Sequence, residues 1–539
     1  MAVNSLRVVG LGGAVALTMC LTGCDSDGDS SSPVVQAPCL GPETIQSSAP
    51  GAPQVIYTSR SHNSQDAASN SLLLAAFNSA LDAGSVDANA LVVKDESDRP
   101  VAGKVRYDAS MKAVVFDPTD PLAANQRYFA RLSKGIKGSS GVTLGNEYCW
   151  QFKVAASRTD TEAQRQVQLI VDQSTYQYGI PGTIMSVRNA DGSTWTTTSG
   201  YADITNKQPI TGDMRFRIGS NTKVLVATAV LQLAGQGKIS LDDPVNKYLA
   251  NEMKSYMPFY DGNKITVRNL LQHTGGIYNF TLDSTWGNAF ISDAFKRYFP
   301  QELLIIANNN AKNPNAPVYG TVSYSNTNYV LLGMLIKNVS GTVYEDAIEQ
   351  WILKANGIRN TFVPRIGDPY VPSPYSHGYY QDSETLTMQD VTLKDPSTVW
   401  SSGDIISTTS DLAALGMLVG RGSMITPAMQ TERYKFMPFT GNLTYGLGLV
   451  KDNYANLIGH QGGMIGYTSQ MYYLPDKDAT LAFFYNRTLA LHDYSDVMTY
   501  TVIQKLWPGR PVASGSRIEN DRSFGYSGPQ GKPGLLSEY

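Results

Sequence analysis

The segment RIGSNTKVLVATAVLQLAGQGK, residues 217–238, constrains the fold of this chain more than any other stretch. Its long apolar run predicts a helix that is buried on every side, because no polar face interrupts it. Lys223 nevertheless lies one turn inside the run, three residues after Ser220. Residues i and i+3 share one helix face, so the Ser220 hydroxyl and the Lys223 ammonium can touch. A serine hydroxyl is a poor nucleophile on its own and needs a partner that takes its proton.

Length and composition set the class of protein. The chain has 539 residues, more than one ordinary domain holds, so we expect at least two domains. Hydrophobic residues make up 42% of the chain and charged residues 17%, a balance that is typical of globular proteins. The formal net charge of -3 and the lack of a basic run argue against a nucleic-acid partner.

The N-terminus has the pattern of an export signal. Residues 8–21 form an apolar run behind Arg7 that is too short to span a bilayer comfortably. The letters LTGC, which end at Cys24, resemble a bacterial lipobox. The resemblance implies that residues 1–23 are a lipoprotein signal peptide and that lipid on Cys24 anchors the exported protein to a membrane, facing the periplasm or the cell exterior. Residues 24–50 are then a flexible tether, and an ordinary secretory signal with an incidental cysteine is the alternative.

Two further cysteines remain in the exported chain, Cys39 and Cys149. An even pair in an oxidising compartment favours a disulfide between them. This bond would attach the tether to the end of the first domain. Two free buried thiols are the alternative.

Residues 51–155 predict a small all-β domain. Short apolar runs such as QVIYTS, NALVVKD and KAVVFDP alternate with turn residues, which is typical of a β-sandwich. The order of segments, from SLLLAAFNSALDAGSV to the closing strand YCWQFKV, resembles the bacterial Ig-like domains of exported proteins. We find no cluster of titratable residues here, so we expect a spacer or a contact surface for an envelope partner.

A second domain is predicted over residues 156–507. A polar helix opens it, and two strand-like runs joined by an Asp-Gly turn follow. Helices and loops fill the middle, and the strands TYGLGLVKD, LIGHQGGMIGYTSQMYYLP and ATLAFFYN precede a closing helix. This order predicts an α+β domain in which helices flank an antiparallel sheet. Residues 508–539 are rich in Gly, Ser and Pro and predict a poorly ordered tail.

A second motif, YSN, lies inside this domain. Tyr324, Ser325 and Asn326 precede an apolar helical run, which indicates a loop that enters a helix. A cation beside the Tyr324 phenol favours its phenolate, which can then act as the general base for Ser220. Asn326 offers a donor and an acceptor, and can orient Lys223 or hold a substrate amide. An aromatic turn with an N-capping serine is the alternative.

A third motif, His460-Gln461-Gly462-Gly463, lies between strand-like residues. Glycines at a strand edge let a ligand backbone approach closely. The backbone N–H of Gly463 is predicted to pair with that of Ser220 in an oxyanion hole, where each donor contributes about 10²–10³ in rate. A glycine bulge with a structural histidine is the alternative.

The three motifs, in the order SNTK, YSN and HQG, resemble those of the penicillin-recognising serine hydrolases, which carry S-x-x-K, Y-x-N and K/H-x-G. That family includes class C β-lactamases, D-Ala-D-Ala carboxypeptidases of the Streptomyces type and related esterases. The segments TVRNLLQHTGGI and TYGLGL support the match. The resemblance implies a β-lactamase/DD-peptidase fold, with an antiparallel sheet flanked by helices plus an all-helical region.

The resemblance also assigns roles. It makes Ser220 the nucleophile, and Lys223 and Tyr324 the proton-transfer pair. Asn326 orients the lysine and the substrate, and His460 is the cationic or hydrogen-bonding group opposite the tyrosine. Without a metal-binding or phosphate-binding motif in the sequence, we expect neither a metal site nor a cofactor.

The third motif departs from the family pattern. Hydroxyl residues flank its glycine in the Streptomyces carboxypeptidase and help to bind the substrate carboxylate, whereas Gln461 and Gly463 stand in those places here. Gly462 and Gln461 are expected to lie with Ser220 and Gly463 in the oxyanion and substrate-binding region. Lys451 is a candidate for the missing cation. His273, in HTGGI, is expected to organise structure.

The sequence therefore predicts a D-alanyl-D-alanine carboxypeptidase-like enzyme that acts on cell-wall peptides through an acyl-enzyme. An esterase, an amide hydrolase or a β-lactamase of the same family is the nearest alternative. A catalytically inactive lipoprotein that binds peptidoglycan is an alternative of another class.

Overall fold

The computed structural model describes residues 49–313, 316–381, 387–488 and 495–509. The expectations for the signal peptide, for Cys24, for Cys39 and for the tail beyond residue 509 lie outside the described residues. Among the helices of the described ranges, none combines the length and the apolarity that crossing a bilayer requires.

The first domain is a sandwich of two four-stranded sheets. Its strands are β1 Val55–Thr58, β2 Ser64–Ala67, β3 Leu73–Phe77, β4 Leu91–Asp95, β5 Gly103–Asp108, β6 Ala113–Pro118, β7 Arg127–Leu132 and β8 Tyr148–Val154. The strand orders are β1-β3-β6-β5 and β2-β8-β7-β4, with β2 and β8 parallel and the other neighbours antiparallel. Side chains alternate along β8, so Trp150 and Phe152 fill the core between the sheets.

Cys149 directly precedes Trp150 in β8 and is disulfide-bonded. No other cysteine falls within the described ranges, so the second half of the bond lies outside them. The pairing with Cys39 stays a prediction.

Over the described residues the second domain has thirteen strands, and nine of them form one large antiparallel sheet. Its strands are β9 Gly182–Arg188, β10 Thr194–Asp203, β11 Gln208–Pro209, β12 Phe216–Arg217, β13 Tyr379–Gln381, β14 Met388–Asp390, β15 Ile406–Ser407, β16 Met437–Thr440, β17 Leu443–Tyr445, β18 Val450–Asp452, β19 Leu457–Met464, β20 Tyr467–Leu474 and β21 Ala479–Tyr485. The large sheet has the order β11-β10-β9-β21-β20-β19-β18-β17-β16. The pairs β12–β15 and β13–β14 form two small separate sheets.

Helices cover both faces of the large sheet. They are α1 Glu162–Gln177, α2 Thr222–Gly235, α3 Asn246–Tyr256, α4 Val267–Leu271, α5 Ser284–Ser292, α6 Pro300–Asn309, α7 Asn326–Ser340, α8 Tyr344–Ala347, α9 Thr409–Gly420, α10 Pro427–Arg433 and α11 Ser495–Leu506. In β21, Phe483 packs in one apolar cluster with α1 and α11, and Phe484 packs in another with α2 and α9. The predicted organisation, an all-β sandwich followed by an α+β domain, is confirmed.

Helix α2 lies at the centre of the second domain. It contacts α7, α10 and β19, together with the π-helical turn Ile348–Leu353. These neighbours surround it, so its side chains from Thr222 to Leu231 are all buried. The apolar run that the sequence shows on every face of this helix therefore reflects packing on every face.

The two domains share a packed interface. Leu74 of the sandwich packs against Leu169 of α1 in one apolar cluster. The Tyr57 hydroxyl donates to Asp172 Oδ1 at 2.6 Å and lies 2.8 Å from Ser199 Oγ. An apolar patch and a buried polar cluster thus join the sandwich to the second domain.

Candidate active site

Ser220 lies in a short 3₁₀ turn, Gly219–Asn221, that leads directly into α2. Gly219 has a φ of +52°, in the left-handed region that favours glycine. A Cβ atom added at Gly219 would lie 2.6 Å from the carbonyl oxygen of Gly463. The glycine therefore lets the turn pack against β19 and leaves Ser220 beside that strand, at the N-terminus of the central helix.

Lys223 is the central polar group of the site. It is fully buried, and its Nζ lies 3.1 Å from Ser220 Oγ. Nζ donates to Asn326 Oδ1 and to the Ser402 carbonyl oxygen, each at 2.6 Å. Burial lowers the pKa of Lys223 well below its usual value, which favours the neutral amine. A neutral amine has two hydrogens, which these two acceptors take, and one lone pair, which is left for the hydroxyl hydrogen of Ser220.

Asn326 is held at both its backbone and its side chain. It begins α7, and its backbone N–H donates to Asn279 Oδ1 at 3.0 Å. Its Nδ2 donates to Thr281 Oγ1 at 3.2 Å, while its Oδ1 accepts from Lys223. This geometry orients Lys223. A contact between Asn326 and a substrate amide stays a prediction.

The Tyr324 ring packs against the lysine. Lys223 Nζ lies 4.9 Å from its centroid, and the ring centroids of His273 and His460 lie 4.5 Å and 6.1 Å away. Tyr324 is partly exposed, so it lies between the buried amine and the surface. Three partly exposed apolar side chains pack in the same cluster as Tyr324: Val322, Phe439 and Leu443. The accessible rim beside the tyrosine is therefore apolar.

His460 is a neutral hydrogen-bonding group. It is fully buried in β19, where its Nδ1 pairs with the Gln461 carbonyl oxygen and its Nε2 lies 3.0 Å from Tyr445 Oη. A carbonyl oxygen only accepts, so the imidazole hydrogen is on Nδ1 and Nε2 accepts from Tyr445. Burial, with a smaller contribution from Lys223, lowers the pKa of His460 to about 3. The sequence left a cationic and a hydrogen-bonding role open, and the structure supports the second.

Two buried residues join the site that the sequence did not assign to its chemistry. Tyr445 ends β17, and His273 follows α4. His273 Nε2 lies 3.2 Å from Tyr445 Oη, and the backbone N–H of Ser325 donates to His273 Nδ1 at 3.2 Å. In the sequence, HTGGI and TYGLGL each place a polar ring beside glycines, which could have marked His273 and Tyr445 as candidates. No local pattern indicates that the two rings meet.

The glycines of the third motif lie against the serine turn. A Cβ atom added at Gly462 would lie 1.9 Å from the carbonyl oxygen of Ile218, and Gly463 is the contact of Gly219 described above. No larger residue fits at Gly462 while the two segments stay this close. Oxyanion donation by the N–H groups of Ser220 and Gly463 stays a prediction that this proximity allows.

Gln461 does not turn its side chain towards the serine, which corrects the expectation that it binds substrate. Its Nε2 donates to Asp496 Oδ1 at 2.7 Å, on the α11 side of the sheet. The cause is the alternation of a strand, since His460 faces the site and its neighbour must face away. Gln470 pairs with Gln461 on the neighbouring strand β20, and its side chain donates to the same Asp496 carboxylate.

Lys451 lies in β18, and its ammonium packs 5.9 Å from the ring centroid of Phe436. In the part of the chain that the structure describes, Lys451 lies opposite Thr444 of β17 and Ile458 of β19. Over the same ranges, no group of three or more His, Cys, Asp or Glu side chains is arranged to hold a metal ion.

A serine beside a buried lysine, at the start of a central helix and against an antiparallel sheet, defines a class of serine hydrolase. The Beta-lactamase family pattern matches residues 163–497, and the Bacterial Ig-like domain pattern matches residues 49–154. The first match covers more than half of the chain, so this chain belongs to the beta-lactamase family, with a bacterial Ig-like domain in front. The family resemblance drawn from the motifs is confirmed.

Known proteins refine this picture. A D-stereospecific amidohydrolase from Streptomyces sp. is similar at 33% identity and a TM-score of 0.54, over 61% of this chain and 95% of its own. A D-amino acid amidase from Ochrobactrum anthropi SV3, solved with L-phenylalanine amide, is similar at 25% identity and a TM-score of 0.56, over 64% and 99%. A penicillin-binding protein of Bacillus subtilis (strain 168) is 26% identical over 60% of this chain and 72% of its own.

Proposed function

We propose that this chain is a serine amidohydrolase that forms an acyl-enzyme on Ser220. The observation that carries the proposal is the 3.1 Å contact between Ser220 Oγ and the buried Nζ of Lys223. Lys223 takes the hydroxyl proton while Oγ bonds to the substrate carbonyl carbon. The negative charge that develops on the carbonyl oxygen meets the N–H groups of Ser220 and Gly463, near the positive end of the α2 dipole.

The second half of acylation needs a proton on the leaving nitrogen. We assign its delivery to Tyr324, whose ring packs over Lys223 and is partly exposed. The proton passes from Lys223 through the Tyr324 hydroxyl to the nitrogen as the C–N bond breaks, which leaves an ester on Ser220. Water then attacks this ester, Lys223 and Tyr324 take up its proton, and Ser220 Oγ leaves with that proton.

We infer that the substrate is an amide or peptide of a D-amino acid with an apolar side chain. The similar D-stereospecific amidohydrolase and D-amino acid amidase support this stereochemistry. The apolar rim of Val322, Phe439 and Leu443 supports the apolar side chain. Lys451 and Gln461, the candidates for carboxylate binding, contact Phe436 and Asp496 instead, which favours an uncharged leaving group.

A D-Ala-D-Ala carboxypeptidase is the second candidate. The match to a Bacillus penicillin-binding protein favours it. It would require a group for the terminal carboxylate other than Lys451 and Gln461. An esterase, a β-lactamase and an inactive peptidoglycan-binding protein are separated from both candidates by the same substrate panel.

The test uses the full chain with D-phenylalanine amide, L-phenylalanine amide, a D-Ala-D-Ala peptide, nitrocefin and a short p-nitrophenyl ester. We expect the D-amide to exceed the L-amide and the D-Ala-D-Ala peptide in kcat/KM by at least about tenfold, a difference of about 1.4 kcal/mol. A fluorophosphonate should label the parent and not Ser220→Ala. Equal labelling of both proteins would remove Ser220 as the nucleophile, and a preference for the D-Ala-D-Ala peptide would select the second candidate.

We also propose that the enzyme works in the bacterial cell envelope. The Ig-like domain and the penicillin-binding relative support this location. Lipid attachment at Cys24 and an envelope partner for the sandwich belong to the same proposal. Replacing Cys24 with Ala should move the protein from the membrane fraction to the soluble fraction with its hydrolase activity intact. Unchanged membrane attachment would contradict the lipid anchor.

A further inference from the structure

A chain of hydrogen bonds lies buried beneath the proposed nucleophile and its base. At one end, His273 Nδ1 faces two donors, the backbone N–H of Ser325 at 3.2 Å and Asn328 Nδ2 at 3.1 Å. A nitrogen that meets two donors is an acceptor, so the imidazole hydrogen of His273 is on Nε2. This end of the chain is set by a backbone group, which cannot reverse its direction.

The direction of the remaining bonds follows from this end. His273 Nε2–H points to Tyr445 Oη at 3.2 Å, so the Tyr445 hydroxyl hydrogen is directed to His460 Nε2 at 3.0 Å. His460 then carries its hydrogen on Nδ1, where the Gln461 carbonyl oxygen accepts it. The far end is again a backbone group. The backbone groups at the two ends therefore require the same direction of hydrogen bonding. With this direction each histidine carries one ring hydrogen and is neutral.

Over the described residues, four titratable side chains surround these hydrogen-bonded rings: Lys223, Tyr324, Tyr329 and Arg433. Lys223 Nζ lies 4.9 Å from the Tyr324 ring centroid, and that ring packs on His273. Tyr329, the other phenol among them, donates to the Leu271 carbonyl oxygen at 3.1 Å. Arg433 lies beyond Tyr329, and its guanidinium donates to groups of α2, Val224 O and Thr228 Oγ1. Burial also lowers the pKa of both histidines, and a proton on Lys223 would lower it further.

We propose that Tyr445 and His273 are positioning residues, which hold His460 as the neutral Nδ1–H tautomer with its Nε2 lone pair occupied. A proton that reached His460 Nε2 would displace the Tyr445 hydrogen. His273 offers that hydrogen no acceptor, so it would have to turn to the neighbouring Tyr329 hydroxyl, and the bond between Tyr445 and His460 would be lost. The proton that leaves Ser220 therefore stays on Lys223 and Tyr324 and is not lost to the histidine beside them. The kinetic consequence rests on the proposed function, whereas the tautomer does not.

The experiment compares Tyr445→Phe with Tyr329→Phe in the full chain. Each variant removes one buried hydroxyl from this cluster. Tyr329 neighbours the Tyr445 hydroxyl but bonds to neither histidine, so Tyr329→Phe leaves the bonds between Tyr445 and the histidines in place. Long-range ¹H–¹⁵N spectra, assigned with His460→Gln, report the tautomer and the titration of His460. We expect the Nδ1–H tautomer in the parent and in Tyr329→Phe. In Tyr445→Phe, Nε2 loses its donor and His460 titrates at a higher pH.

The size of the titration shift is the second measurement. The pH at which His460 titrates should rise by at least about one unit in Tyr445→Phe, which is about a tenfold change in its proton affinity, and it should not rise in Tyr329→Phe. If Tyr445→Phe does not fold, His273→Gln and His273→Leu replace it. The glutamine amide can still donate to Tyr445 and should keep the parent titration, whereas the leucine should shift it.

A parent-like titration of His460 in Tyr445→Phe, or in His273→Leu, would overturn the proposal. The spectra need no substrate, so this failure differs from failure of the proposed function. In the latter case fluorophosphonate labels the parent and Ser220→Ala alike, and the histidine spectra are unaffected. A purely structural role for Tyr445 would lower kcat/KM and would leave the titration of His460 in place, which also contradicts the proposal.

Discussion

Lys223 shows how a single buried amine can serve as a base. Desolvation disfavours its charged form, and Asn326 and Ser402 take the two hydrogens of its neutral form. The Ser220–Lys223 contact could be predicted from sequence because it is local, one helix turn long. The contact with Ser402 could not, since 179 residues separate the partners. Gln461 shows a different limit of sequence-based prediction. The side of the sheet on which its side chain lies follows from the alternation of a β-strand, which a motif match does not consider.

Lys223→Arg tests the base directly. A guanidinium stays protonated in proteins, so it cannot accept the Ser220 proton. We expect the rate of fluorophosphonate labelling to fall by about 10²–10⁴, the usual contribution of a general base. Lys451→Arg is the control and should label at the parent rate. Parent-like labelling of Lys223→Arg would contradict the role of Lys223.

Tyr324→Phe separates the two proton-transfer steps. A fluorophosphonate loses fluoride, which needs no proton, whereas an amide loses a nitrogen that must be protonated. If Tyr324 delivers that proton, amide turnover should fall by about 10²–10⁴ while fluorophosphonate labelling stays near the parent rate. If both rates fall together, Tyr324 is instead the base for Ser220, which is the role that the sequence suggested.

At the scale of elements, the site is made where α2 and β19 meet. The sequence predicts both elements, because one has a long apolar run and the other has strand-like residues around glycines. It does not predict that they touch, since the contact depends on two glycines that lie far apart in the chain. Gly219 provides a left-handed turn and Gly462 provides room for the Ile218 carbonyl group. A local sequence pattern shows neither the left-handed turn at Gly219 nor the space that Gly462 leaves for the carbonyl group.

Gly219→Ala should disturb the site through this contact. The substitution adds a Cβ atom 2.6 Å from the Gly463 carbonyl oxygen at a φ of +52°. We expect a loss of about 1–3 kcal/mol in the free energy of unfolding and at least about a 100-fold loss in acylation rate. Gly237→Ala, just past the other end of α2, has a φ of +71° but nothing within 4 Å of the added atom. It should lose about 1 kcal/mol and keep the parent acylation rate, and equal rates in the two variants would contradict the argument.

At the scale of the whole molecule, the two domains are joined by buried groups. Asp172 of α1 is buried and accepts from Tyr57 of the sandwich and from Gln168 Nε2 at 2.9 Å. Sequence patterns predict the two domains separately, because each has its own periodicity. They do not predict the interface, since Tyr57 and Asp172 are 115 residues apart and each looks like an ordinary polar residue.

Asp172→Asn should reveal the cost of this buried carboxylate. Burial raises the pKa of Asp172 to about 6 from 3.8. Between these values the folded state binds more protons than the unfolded state, so the free energy of unfolding falls as pH rises from 3.8 to 6. The asparagine keeps an acceptor for Tyr57 and cannot ionise. We expect it to raise the free energy of unfolding by about 1–3 kcal/mol at pH 8 relative to its effect at pH 3.5, with activity unchanged.

Urea unfolding of the parent and the variant at the two pH values measures this difference. Asp117→Asn is the control, because Asp117 is a half-exposed carboxylate that pairs with Arg165 of α1 across the same interface. A solvent-accessible ion pair contributes about 0–1 kcal/mol, so this variant should differ little from the parent. A difference between Asp172→Asn and the parent that is the same at both pH values would contradict the account.

The interface also limits how this protein can evolve by exchange of modules. Leu169 and Tyr176 of α1 form a surface that is covered only because the sandwich lies on it, with the Tyr176 hydroxyl bonded to the Met111 carbonyl oxygen at 2.8 Å. A member of the family without a leading domain would need polar side chains at these two places. Recombination that replaced the sandwich with an unrelated domain would have to supply a complementary apolar face. Without one, the apolar side chains of α1 would be exposed to solvent and would favour aggregation.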